Sequence, residues 1–211
     1  MKKSISILLI LLFIVSSTLI FSSCDTTTEN TENASQCYNY LVEAHEICNN
    51  LLGDIYNAWH FAIYEADDCK SSGIIGEFLD TLKFYNDIST TPEKNKLGLA
   101  VHAKLNEMGA SSYEFEYYLS DFNITTDLVI YIYRNDISRV NELLSSASNS
   151  LKGVSEKQDG YSTLKSYYLE LKSCFDFCQS PDTSFEQLGT IKENFQKNLN
   201  TYKNELEFMF D

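Results

Sequence analysis

The chain has 211 residues, with 30 acidic against 16 basic side chains and a net charge of −14 at neutral pH. That length suits one domain, and that charge excludes nucleic acid and other anionic polymers as partners, because phosphate is repelled by such a surface. Two prolines and eight glycines are too few for the turn density of an all-β protein, while 44% hydrophobic residues supply a core.

The first 24 residues carry the clearest signal. Lys2 and Lys3 precede an apolar run over 5–21, and Ser22, Ser23 and Cys24 follow. A charged start, a short apolar core and small residues before a cut site make a secretory signal peptide. The cysteine directly after the cut resembles the bacterial lipoprotein sorting signal, with Phe21 standing where that signal usually has Leu. The resemblance implies that residues 1–23 are removed and that Cys24 carries the lipid, such as palmitate. An ordinary secretory signal cut elsewhere and an uncleaved anchor are the competing readings. Each buried CH₂ contributes about 0.8 kcal/mol, so several acyl chains on Cys24 would hold the protein at the outer face of the cell membrane. Without Lys2 and Lys3, 14 basic side chains face 30 acidic ones, a net of −16. Residues 24–34, DTTTENTEN at their centre, read as a flexible tether, and 35–211 as the folded domain.

Within 35–70, Cys37, Leu41, Ala44, Cys48, Leu51, Ile55, Ala58 and Ala62 recur at spacings of four and three, one face of a long helix. Leu52, Trp59 and Ile63 widen the stripe, and Gly53 is a point for a bend. Ile75, Phe78, Leu79, Leu82 and Tyr85 predict one helix from 74 to about 88. Thr91-Pro92-Glu93 restarts the chain, with Thr91 as N-cap, and Leu97, Val101, Leu105 and Met108 continue to Gly109. Ser111 and Glu114 match a capping box.

Residues 123–127 read as a break. LVIYIY at 128–133 has strand-like composition, but Ile130, Tyr133, Ile137, Val140, Leu144, Ala147, Leu151 and Val154 keep helical spacing, which predicts a helix over 126–158. Tyr161, Leu164, Tyr168, Leu171, Phe175 and Cys178 mark the next face. Thr183 and Glu186 form a capping box for the last helix, faced by Phe185, Leu188, Phe195, Leu199, Tyr202, Leu206 and Met209. The expected fold is all-α, an antiparallel bundle of four to five long helices.

Two stretches carry a further likeness. Asn57-Ala58-Trp59-His60-Phe61-Ala62-Ile63-Tyr64 resembles an N-x-W-x-x-A-I-Y motif, and the run from Leu164 through Ser180-Pro181 to Ser184-Phe185 resembles a helix–turn–helix tail. Both are similar to segments of uncharacterised all-helical secreted proteins and lipoproteins of low-GC Gram-positive bacteria. Ser180 and Thr183 stand where that turn has Asn and Gly, and residues 92–122 take no part. The likeness implies a helical bundle in a bacterial cell envelope and carries no functional residue with it.

Five cysteines remain for the folded part: Cys37, Cys48, Cys69, Cys174 and Cys178. Their pairing is left open, with Cys48–Cys178 as the pair to test. All but Cys69 fall on core-facing positions, where cysteine acts as a small apolar residue. His45 and Cys48 with Cys174 and Cys178 form the one set with zinc-type donors, but no tight C-x₂-C pair supports it. A calcium loop from Asp68 fails, because Leu79 occupies the position that needs Glu. Tyr56, His60 and Tyr64 line one helix stripe beside Trp59, a surface for a sugar or peptide or else for a neighbouring helix. The aromatic run Tyr113-Glu114-Phe115-Glu116-Tyr117-Tyr118 is a second such surface. His45, His60 and His102 sit in no catalytic motif, so no enzyme activity, cofactor or metal is expected. The expected role is a lipid-anchored interaction or accessory module with a protein partner at the cell surface. The rival is a lipoprotein that holds a small molecule or glycan between helices near Trp59.

Overall fold

A computed structural model describes residues 2–69, 73–111 and 114–210, with side chains from residue 28 onward. Among these, every regular element is a helix. One helix, α1 (Lys2–Tyr64), forms the spine. A 3₁₀ turn, Ala66–Asp68, ends it. Three short helices and one longer one follow toward its far end: α2 (Ile74–Asp80), α3 (Lys83–Asp87), the longer α4 (Thr91–Glu107) and α5 (Phe115–Leu119) lead into α6 (Phe122–Ile132). Three long helices complete the bundle: α7 (Arg134–Lys152), α8 (Tyr161–Gln179) and α9 (Phe185–Phe210). No described helix is long and apolar enough to cross a membrane.

The α1 stripe explains this arrangement. Cys37, Leu41, Ala44, Cys48, Leu51, Ile55 and Ala58 are completely buried, as the spacing predicts. A single helix cannot bury such a face alone, so α6, α7, α8 and α9 all pack against it. Cross-links fix their directions. Asn33 reaches Gly153, and Trp59 reaches Thr126, so α6 and α7 run antiparallel to α1. His45 meets Tyr167, while the distal residues Thr126 and Gln179 line one small cleft, so α8 runs back parallel to α1. Tyr56 stacks on Phe185 and Tyr38 meets Phe210, so α9 descends. The bundle is therefore up-down-up-down about α1, and α2 to α5 cap its distal end.

Several expected boundaries move, each for a local reason. Residues 28–34 belong to α1 rather than to a free tether. Ala34 is fully buried, the Asn33 amide donates to Gly153 O at 3.5 Å, and Asn30 Oδ1 accepts from Ser155 N at 3.1 Å. The polar residues that suggest a tether thus serve as partners for the 153–155 turn. Gly53 does not interrupt the helix. The single helix expected over 74–88 is divided, because Leu82 is extended (φ −90°, ψ 128°). The segment 123–127 is helical, since Asp121 Oδ1 caps α6 by accepting from the Asn123 and Ile124 amides. The helix expected over 126–158 ends at Lys152 and is interrupted once, at Tyr133. Gly160 starts α8 at φ 84°, a left-handed conformation that favours glycine, and a side chain there would also strike Met209 Sδ at 2.9 Å. The N-cap of α4 is Thr90 rather than Thr91, and its hydroxyl donates to Glu93 (2.6 Å). The expected Ser111–Glu114 box forms, with Ser111 N and Oγ both donating to Glu114 Oε2. At α9 the reciprocal pair is Ser184 with Gln187, and Thr183 Oγ1 also donates to Gln187 Oε1 (3.0 Å).

The break at Leu82 depends on one buried carboxylate. Asp54, on α1, is 1% exposed. Its two oxygens accept from the Lys83 amide (2.7 Å), the Phe84 amide (2.9 Å) and the Tyr133 hydroxyl (2.9 Å). It thereby supplies the N-terminal acceptor that α3 lacks locally and ties that helix to the α6–α7 junction. Burial pushes its carboxyl up, and the three donors oppose that shift. Removing it leaves three buried donors unpaired. Asp54→Ala is expected to cost about 3 kcal/mol in urea unfolding, and Tyr133→Phe about 1 kcal/mol, because only one donor is lost. An Asp54→Ala chain as stable as wild type would contradict this role.

Candidate functional site

The Cys24 side chain and the signal segment's side chains lie outside the described residues. The remaining sequence-derived candidates can each be placed.

Trp59 is 3% exposed. Its ring stacks on Phe122 at 4.6 Å and 7°, and its indole N–H donates to Thr126 Oγ1 at 2.7 Å. One ring face and the polar edge are used in joining α1 to α6, and Thr126 also lines a small cleft with Asp127 and Gln179. Tyr56 is likewise covered, by Phe185 at 5.1 Å on one side and the Lys192 ammonium at 4.6 Å. His60 and Tyr64 lie at the surface in contact with each other (4.8 Å) and with Phe185. The stripe is mainly the joint between α1 and the start of α9. In the second aromatic run, Phe115 is buried and Tyr117 is 76% exposed, and Tyr113 falls outside the described residues.

The cysteines sit where the stripe predicts. Cys37, Cys48, Cys174 and Cys178 are buried and all five folded-domain cysteines are free thiols. Cys174 and Cys178 hydrogen-bond each other across one helical turn, with Cys48 facing them from α1. Burial pushes the Cys37 thiol up to about 12 and that of Cys48 well above its ordinary value, and the hydrogen bond with Cys174, together with burial, does the same to Cys178. Neutral, sealed thiols are poor nucleophiles and poor ligands. Among the described residues no group of three or more His, Cys, Asp or Glu side chains is placed to hold a metal ion. Cys69 is half-buried and donates to Glu65 O (3.1 Å) and Glu77 Oε2 (2.7 Å), and that burial and acidic setting raise it to about 12.

His45, on α1 near Cys48, has one ring nitrogen engaged. Its Nδ1 lies 2.8 Å from the Tyr167 hydroxyl, in an edge-on ring contact, and the residue is 6% exposed. A cleft of about 180 Å³ lined by Val42, Glu46, Asn49, Asn200 and Lys203 opens beside it. Burial, helped by the nearby Lys203 ammonium, lowers the imidazole to about 4. The two other histidines, His60 and His102, are exposed and bond Glu65 and Asn106 within their own neighbourhoods.

Asp54 and the cap groove described below are the two features that the sequence did not mark. A lone Asp on a helix stripe has no diagnostic spacing, and a groove exists only once helices pack.

The His45 environment has a pH consequence. The folded ring stays neutral down to about pH 4, whereas the unfolded ring takes up a proton below about 6.5. The unfolded state therefore binds more protons in this window, and stability falls as pH drops from about 6.5 to 4. Asp54, whose carboxyl is raised, acts in the opposite direction, so the comparison must be internal. Between pH 7 and 4, wild type should lose up to about 3 kcal/mol relative to His45→Gln in urea unfolding. Parallel stability curves for the two proteins would contradict a buried neutral His45.

Compared with protein-family models, with curated proteins and with solved structures, the chain matches none.

Proposed function

We propose that this chain is a lipid-anchored accessory module of the bacterial cell envelope, held by Cys24 at the outer face of the membrane, whose helical bundle docks a protein partner. The order of features along α1 carries the reading. The sorting pattern ends at Cys24, side-chain contacts begin by residue 30, and α2 to α5 gather on the distal part of α1, with α3 alongside Asp54 and the 3₁₀ turn beyond Tyr64. Residues 28–64 of one helix span about 54 Å at 1.5 Å per residue. A cap at that height would be presented away from an anchor at Cys24.

The state of the buried ionisable groups also supports binding over catalysis. The buried titratable groups, Asp54, His45 and the thiols, are engaged in structural hydrogen bonds or sealed in the core. No nucleophile–base pair faces a cleft of substrate size among the described residues. The family likeness of the 57–64 stretch and the 164–185 tail agrees with an envelope location.

Metabolic labelling with palmitate tests the anchor. Wild type should carry the label and stay with the membrane fraction, and Cys24→Ala should lose the label. A soluble, unlabelled wild type would overturn the reading. Crosslinking on intact cells then tests the partner, and a bundle that is crosslinked to nothing would remove the docking part of the proposal.

A further inference from the structure

Among the described residues, the cap contains a groove that differs in charge from four other clefts. It lies between α2, α3 and α4, has a volume of about 490 Å³, and is lined by Ile75, Leu79, Tyr85, Lys94, Leu99 and Asn95 with two glycines. That volume falls in the range of small-molecule sites. Leu79 forms a buried floor, and Leu99 stands 73% exposed on the rim.

Two independent observations say what it would take. The first is charge. Four other clefts each carry a carboxylate: Glu32, Asp87 with Asp136, Glu46, and Asp127. This groove has a single charged side chain, and it is a lysine, in a chain with nearly twice as many acids as bases. The Lys94 ammonium lies 4.5 Å from the Tyr85 ring centroid, which holds it at the groove wall, and among the described residues it pairs with no carboxylate. The second is the glycines. Gly76 and Gly98 each sit inside a helix, where glycine costs about 1 kcal/mol relative to alanine. Neither is required by packing. A side chain at Gly76 would meet nothing within 4 Å, and one at Gly98 only Leu79 Cδ1 at 3.9 Å. Their effect is to keep the groove open.

We infer that this groove binds a small, freely diffusing amphipathic carboxylate, with its apolar body against Ile75, Leu79 and Leu99 and its carboxylate on Lys94 and Asn95. The site is independent of the anchor at Cys24 and lies at the opposite end of α1.

Fluorophenylbutanoate serves as the probe, observed by fluorine NMR with the full chain in lipid nanodiscs and empty nanodiscs as reference. Saturable line broadening is expected with protein-bearing discs only. Lys94→Gln should weaken binding about tenfold, the loss of one charge-assisted hydrogen bond. Gly98→Leu should abolish it, with an unchanged helical spectrum and a melting temperature no lower than wild type, since the groove has room for the side chain and glycine disfavours the helix. The corresponding alcohol and the corresponding ammonium compound should bind at least tenfold more weakly than the carboxylate. Binding that is absent at millimolar probe, equal on empty discs, equal for the ammonium compound, or unaffected by Gly98→Leu would each overturn the assignment.

Discussion

The structure depends on one constraint: α1 has to bury an apolar stripe along its second half. From Ala34 to Ala62 the core positions follow one another at helical spacing on that face. At about 25 cal/mol per Å² of apolar surface, leaving such a stripe in water would cost more than the folded state can spare. Three long helices and α6 are recruited to cover it, and the up-down-up-down order follows from short connections between them. The thiols of Cys37, Cys48, Cys174 and Cys178 belong to this seam, where sulfur fills space between α1 and α8.

An apolar seam alone does not choose a register. Three polar groups on α1 do so, each with a different neighbour. His45 meets Tyr167 on α8, Asp54 meets the start of α3 and the α6–α7 junction, and Trp59 meets Thr126 on α6. Each is buried, so a slip of one turn would strand a donor or an acceptor away from water. Among the described residues no buried side-chain polar atom lacks a partner, which is the condition for such groups to specify rather than destabilise.

Much of this was legible in the sequence, because packing at helical spacing is a local, repeated signal. The α1 stripe, the helical character of 128–133 despite its strand-like residues, and the all-α bundle follow from it. The errors arise where a single long-range contact overrides the local pattern. Leu82 fits the face of one helix over 74–88, yet Asp54, 28 positions earlier, ends that helix and starts the next. The segment DTTTENTEN has no apolar residue to mark it as structured, and its partners are backbone groups at 153 and 155. Tyr167, one position from the expected Tyr168, is the buried tyrosine because its hydroxyl answers His45. For the site, Trp59 drew attention as the only tryptophan, but its stacking on Phe122 serves packing. The cap groove had no signal in sequence, since its two glycines lie on different helices and only the fold opposes them.

These elements combine with the two proposals into a functional account: a helical spine that, once lipidated at Cys24, would hold the cap and its groove away from the membrane. Its central claim is that α1 is one uninterrupted helix from the tether region to the cap. Nitroxide labels placed at Glu29 and Tyr64 by bio-orthogonal chemistry, read by double electron–electron resonance on the full chain, test it directly. An unbroken helix predicts a narrow distribution centred at about 52 Å, from 1.5 Å per residue. A broad distribution, or a centre well below that distance, would show a hinge or a flexible tether and contradict the account.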